Sequence, residues 1–195
     1  MRYGGLLQTA LVVIALAHGT PQETATKARL ETLLAAHDLR DYTFTKRVVI
    51  EEAAMNHAFP TLTLHPFADD DQLFSAYLHE QIHWHLREHR FQQDAAVAEL
   101  RRLYPRVPVG LPEGAETAYS TYGHIVTCYL EMLADRRFLG DERAAATIRN
   151  KVHYTWIYAT VVRDEAKIAA VVARHGLGIS DTRPDRRATS PRARP

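Results

Sequence analysis

A predominantly helical α+β domain is the fold class the sequence predicts, and three observations carry it. After residue 69 the apolar residues recur mostly at helical spacing, i, i+3 and i+4. Ahead of them, segments 42–51 (YTFTKRVVIE) and 61–65 (TLTLH) are rich in β-branched and aromatic residues and read as strands. The segment 105–112 (PRVPVGLP) cannot continue a helix, so it is a loop that divides the helical part in two. With 195 residues, 46% of them hydrophobic, the chain can bury one sizeable core but not two.

Arg2 precedes an apolar run over 6–17 that only Gln8 and Thr9 interrupt, and Ala15-Leu16-Ala17 is a small-x-small pattern. This reads as a signal peptide over 1–17, which makes the protein exported, either periplasmic or secreted. The alternative is a buried N-terminal helix of a cytosolic protein. The run falls short of the roughly 20 residues a membrane span needs, and no later stretch is apolar enough. The expected folded domain is therefore 18–180, with no stable membrane insertion in the mature form.

Along that domain, Ala28, Leu30, Leu33 and Leu34 give a helix over 24–37. Prolines 60 and 66 flank the second strand and suit an edge position. Asp69, Asp70 and Asp71 start a helix that runs through Leu73, Tyr77, Leu78, Ile82 and Leu86 towards Arg90. A further helical stretch ends near Tyr104. Periodicity resumes at about Ala115, stops at Gly140, and returns as one last helix over about 142–175 that ends at Gly176. From 181 to 195 the chain is Arg/Pro/Ser-rich without periodicity, the composition of a disordered basic tail. A net charge of +1 gives no global attraction to nucleic acid or anionic lipid. The single cysteine, Cys128, excludes an internal disulfide and a multi-cysteine metal site.

The chemistry concentrates in His79-Glu80-Gln81-Ile82-His83. Two histidines four apart share a helix face and reach one metal ion, and the glutamate after the first is placed to take a proton from water that zinc acidifies. A catalytic zinc needs a third protein ligand. His89 has the sequence spacing of the long metzincin motif, but Leu86 stands where that motif needs glycine, so a continued helix carries His89 off the face, and His85 with it. Both read as exposed or partly buried helix residues. Glu131 and Asp135 are four apart on a later, apolar helix, and suit a zinc-ligating glutamate with an aspartate that accepts a ligand histidine's ring N–H. A buried glutamate needs a cation, and zinc supplies one. His124, two turns before Glu131 on nearly the same face, is an alternative third ligand, an oxyanion donor, or a core histidine. Cys128 between them reads as a small buried hydrophobe.

His-Glu-x-x-His followed by Glu131-Met132-Leu133-Ala134-Asp135 resembles the gluzincin peptidases, most closely the branch of the CAAX prenyl proteases and the heat-shock membrane protease HtpX. Trp84 after His83 is also similar to that branch, whereas Ile82 replaces its glycine, and its best-known members carry several membrane helices. The resemblance covers well under half of the chain. It implies a zincin-like fold with a small sheet, zinc held by His79, His83 and Glu131, Glu80 as base, and Asp135 supporting the ligands. It also implies an edge strand that pairs with extended substrate, here 62–65, and an oxyanion donor from a later helix. His153 and Tyr154 are the candidates for that donor, with core packing as the other reading of the aromatic patch they open.

The expected function is zinc-dependent hydrolysis of peptide bonds in a peptide or protein substrate, with no nucleic acid partner. A metal-dependent amidase acting on a small substrate and a non-catalytic zinc-binding domain are the alternatives.

Overall fold

The structure is a computed structural model that describes residues 12–179. Among these, seven α-helices pack beside a three-stranded, all-parallel sheet, the predominantly helical α+β class expected. Strands β1 (Val13–Leu16), β2 (Arg47–Ile50) and β3 (Leu62–Leu64) lie in chain order, with Ile14 opposite Val48 and Val49 opposite Thr63. Helix α1 (Pro21–Ala36) links the first two strands. Thr20 caps it, and Glu23 accepts the backbone N–H groups of His18, Gly19 and Glu52, which ties the start of α1 to the end of β2.

Several boundaries differ from the sequence expectation. The folded unit does not start at residue 18: 13–16, assigned to the signal peptide, form a strand whose Ile14 is buried in the core. A short buried parallel strand and the apolar run of a leader have the same composition, so apolarity alone does not separate them. The earlier part of that run and the tail from 181 lie outside the described residues. Strand β2 begins at Arg47, not 42, because Tyr42 closes a 3-10 turn and the N–H groups of Phe44 and Thr45 both donate to Gln81 Oε1. The edge of β3 is already covered, since Thr63 exchanges both backbone hydrogen bonds with His57, at 2.8 and 3.1 Å, and the His65 N–H donates to Asn56. Pairing of substrate along it would first have to displace that segment.

Helix α2 (Asp70–Glu88), capped by Asp69, ends at His89, whose non-helical backbone separates it from α3 (Arg90–Leu103). Thr117 caps α4 (Ala118–Leu139), and Gly140 ends it at a φ of 84° that favours glycine. The expected last helix is three: α5 (Asp141–Arg149), α6 (Thr155–Arg163) and α7 (Glu165–Arg174). Its apolar periodicity runs on through breaks at 150–154 and at Asp164, where no proline or glycine marks them.

Two apolar clusters hold these elements. One joins the sheet and α1 to the first half of α2, through Leu30, Ile50, Leu64, Phe74 and Leu78. The other joins the end of α2 to α3, α4, α6 and α7, through Ile82, Leu100, Ile125, Val161 and Ile168. Helix α4 contributes to both and is buried on nearly every side. It is the partner against which α2 sets its histidines.

Candidate metal centre

Helical spacing builds the centre. On α2, Ser75, His79 and His83 recur every four residues, and on α4 His124, Cys128, Glu131 and Asp135 recur at intervals of four, three and four, so each set lies on one face. The two faces meet running in opposite directions. Ser75 reaches Glu131 and Asp135, His79 reaches Glu131, and the His83 ring packs edge-on to that of His124.

Three imidazoles converge at one end of this seam. The metal-binding atoms of His79, His83 and His124 all lie within 4.8 Å of one another. His83 Nε2 is 3.2 Å from His79 Nε2. Two ring nitrogens bound tetrahedrally to zinc lie roughly 3.3 Å apart, so this pair has the spacing of co-ligands. The opposite ring nitrogens of two of them are engaged. His79 Nδ1 donates to Glu131 Oε2 at 2.7 Å, and His124 Nδ1 donates to the Ser120 carbonyl at 2.8 Å. A carboxylate on one histidine and a backbone carbonyl on another are the partners that orient ligand histidines and leave Nε2 with its lone pair. Burial pushes the His124 imidazole down to about 4, and burial with the neighbouring imidazoles takes His83 well below its ordinary value. Both are neutral, the form that binds a metal. Burial also pulls His79 down, but the Glu131 carboxylate more than offsets it.

Glu131 is placed differently from the expectation for a ligand. It is fully buried, and four donors occupy its two oxygens. Oε2 takes His79 Nδ1 at 2.7 Å and the Tyr158 hydroxyl at 2.6 Å; Oε1 takes Ser75 Oγ and Lys151 Nζ, each at 2.7 Å. Burial alone would raise this carboxyl, but Lys151 and His79 hold it well below the carboxylate range. A second grouping, His79, Cys128 and Glu131, also falls within 4.8 Å. It uses the Nδ1 side of His79, where a hydrogen bond of 2.7 Å leaves no room for an ion, and burial pushes the Cys128 thiol well above its usual range. The three-histidine grouping lies on the Nε2 side of His79, away from that bond.

Asp135 does not reach a histidine. Its Oδ2 lies 2.8 Å from Ser75 Oγ, and Oδ1 is buried with no hydrogen-bond partner. Ser75 has one proton for two carboxylates, and burial raises the Asp135 carboxyl to about 8. A protonated Asp135 that donates to Ser75, while Ser75 donates to Glu131, satisfies every contact.

Glu80 is 5% exposed, and burial lifts it to about 7, against a lowering by His79. Tyr154 packs its ring at a tilt against His124 with ring centroids 4.4 Å apart, and parallel to that of His79 at 6.1 Å. Its backbone is left-handed, with a φ of 59°, a conformation that costs a non-glycine residue about 1–2 kcal/mol. The Thr155 N–H to Pro112 carbonyl bond and the Tyr158 N–H to Tyr154 carbonyl bond flank it. Burial raises the Tyr154 hydroxyl to about 12, so it remains a donor. His153, the other expected donor, is exposed and takes no part in the cluster. His85 is buried rather than exposed, and its Nε2 donates to the Leu177 carbonyl; His89 donates to the His85 carbonyl. Both are structural.

Sequence reasoning missed Ser75, Lys151 and Tyr158. Ser75 precedes His79 by one helical turn, a signal that was available. Lys151 lies in a helix break that the sequence does not mark, and Tyr158 looks like any core aromatic. No protein-family model matches the chain, and no curated protein or solved structure matches it.

Proposed function

We propose that this protein is a zinc-dependent hydrolase of amide bonds, with peptide bonds as its substrate class, and that His79, His83 and His124 hold the metal. The observation that carries this reading is the convergence of three imidazoles, His79 buried and His83 and His124 half-buried, beside Glu80, a buried carboxyl with no hydrogen-bond partner among the described residues. Three imidazoles are a donor set that suits zinc and leaves a fourth position open.

Zinc bound there supplies Lewis acidity, which makes water a nucleophile near neutral pH and polarises the scissile carbonyl. Glu80 accepts the proton that the attacking water gives up and returns it to the leaving amine, a task for which an affinity near neutrality suits it. Tyr154, held against His124, is positioned to donate a hydrogen bond from its hydroxyl to the developing oxyanion. Glu131 accepts from His79 and increases its strength as a donor. This departs from the gluzincin pattern, in which the glutamate is itself a ligand.

One observation favours a small amide over a long peptide. The edge of β3 is taken by His57, so extended substrate has no free strand to join there. Both readings share the same chemistry at the metal.

The test is zinc content and hydrolysis by the purified protein and its Glu80→Gln variant, against mixed fluorogenic peptides and small acyl amides. Stoichiometric zinc in both proteins, with turnover lowered at least about 10²-fold by the substitution, is expected. Zinc in both with identical turnover leaves a binding domain. No zinc in either removes the reading.

A further inference from the structure

A carboxylate beside a ligand histidine can orient that ring or bind the metal itself. Glu131 has a rival position of its own, since its carboxylate, His79 and Cys128 form the second grouping whose ligand atoms lie within 4.8 Å of one another. In this structure it is held back by donors from three separate elements: Ser75 from α2, Tyr158 from α6, and Lys151 from the connection between α5 and α6. Lys151 alone carries charge opposite to the carboxylate. Its Nζ lies 2.7 Å from Glu131 Oε1 and 2.9 Å from Ser75 Oγ, and its side chain is only 14% exposed. The backbone N–H of Lys151 bonds to the Ile148 carbonyl, so the last turn of α5 fixes where the ammonium enters.

We propose that Lys151 selects the donor set, pairing with Glu131 so that the carboxylate serves His79 Nδ1 and stays out of the metal's coordination sphere. This rests on the three-histidine reading above and deepens it. With Lys151 in place, the pair brings no net charge to the centre, and Oε1 has two donors. Without Lys151, Oε1 keeps only the Ser75 hydroxyl as a donor. An uncompensated anion then stands beside a dication, and it either turns onto the metal or attracts it more strongly in place. Either course tightens metal binding. A lysine with only a structural role would do the opposite, because its loss would loosen the seam that aligns the histidines. Lys151 is thus a positioning residue, acting through Glu131, and the fourth position stays open for water because of it.

The test compares zinc affinity, by competition with a chromophoric chelator, and the visible spectrum of the cobalt(II)-substituted protein, for four chains. In Lys151→Met, zinc affinity is expected to rise at least about tenfold, and the cobalt spectrum to change as oxygen donation increases. Lys151→Arg should match the wild type, and Lys151→Met combined with Glu131→Gln should lose the gain. If Lys151→Met does not fold, by circular dichroism, Lys151→Gln is read in the same way. Affinity that is unchanged or lower in a folded single variant overturns the proposal, while wild-type zinc on three imidazoles leaves the functional reading intact. A wild type that binds no zinc overturns both.

Discussion

Exchange of Glu131 for glutamine keeps the shape of the side chain and removes its charge. Four donors converge on that carboxylate at 2.6–2.7 Å, from His79, Tyr158, Ser75 and Lys151. A glutamine amide offers one acceptor oxygen and turns its NH2 towards two of those donors, and the Lys151 ammonium loses its counter-charge inside the protein. Breaking a buried ion pair from one side costs roughly 3–5 kcal/mol, and this is the loss of metal-free stability expected in Glu131→Gln. A histidine that loses its orienting carboxylate holds metal roughly 10–100-fold less tightly, and zinc affinity should fall by that amount without being abolished. Urea unfolding in the presence of a chelator measures the first quantity, and zinc competition the second. His124→Ala is the control, and it should lose stoichiometric binding. The opposite pattern, in which Glu131→Gln abolishes binding and His124→Ala retains full affinity, would refute the assignment of roles. So would a Glu131→Gln protein that is as stable as the wild type.

Three further expectations follow from the same geometry. Tyr154→Phe removes the hydroxyl but keeps the ring on His124, so kcat should fall about 10²-fold with KM within a few-fold, while exposed His153→Ala leaves both unchanged. Equal effects of the two would remove Tyr154 as the oxyanion donor. Asp135 has a raised folded-state value of about 8 against about 3.9 in the unfolded chain. The native protein therefore holds a proton the unfolded chain has lost, and Asp135 makes metal-free stability fall as pH rises from about 4 to 8 and level off above. Asp135→Asn should remove that slope in urea titrations at pH 5, 7 and 9, and parallel profiles for the two proteins contradict it. Ile14→Ala should cost roughly 2–5 kcal/mol of stability if β1 is part of the core, and an unchanged unfolding midpoint places residues 13–16 outside it.

Much of the site was legible in the sequence because helices turn spacing into position. His79, Glu80 and His83 needed only the period of α2, and the seven residues between His124 and Glu131 put both on one face of α4. Which of those two meets His79 Nδ1 was not legible, because it depends on how the ring is turned. Lys151, Ser75 and Tyr158, which hold Glu131 in place, converge from three elements and leave no shared spacing. The Glu-x-x-x-Asp pattern suggested that Asp135 would hold a histidine, yet Glu131 does so, and Asp135 reaches only the serine behind it. At the level of the fold, the helical class followed from periodicity. The breaks at 150–154 and Asp164 did not, since apolar residues continue in phase across them. The strand at 13–16 was read as a leader because short apolar segments carry no mark of what they pair with.

X-ray absorption at the zinc edge of the purified protein tests the central claim most directly. Three imidazole nitrogens and one non-protein oxygen around one zinc per chain is the expected result. Two imidazoles with a carboxylate, or a protein that holds no stoichiometric zinc, would contradict it.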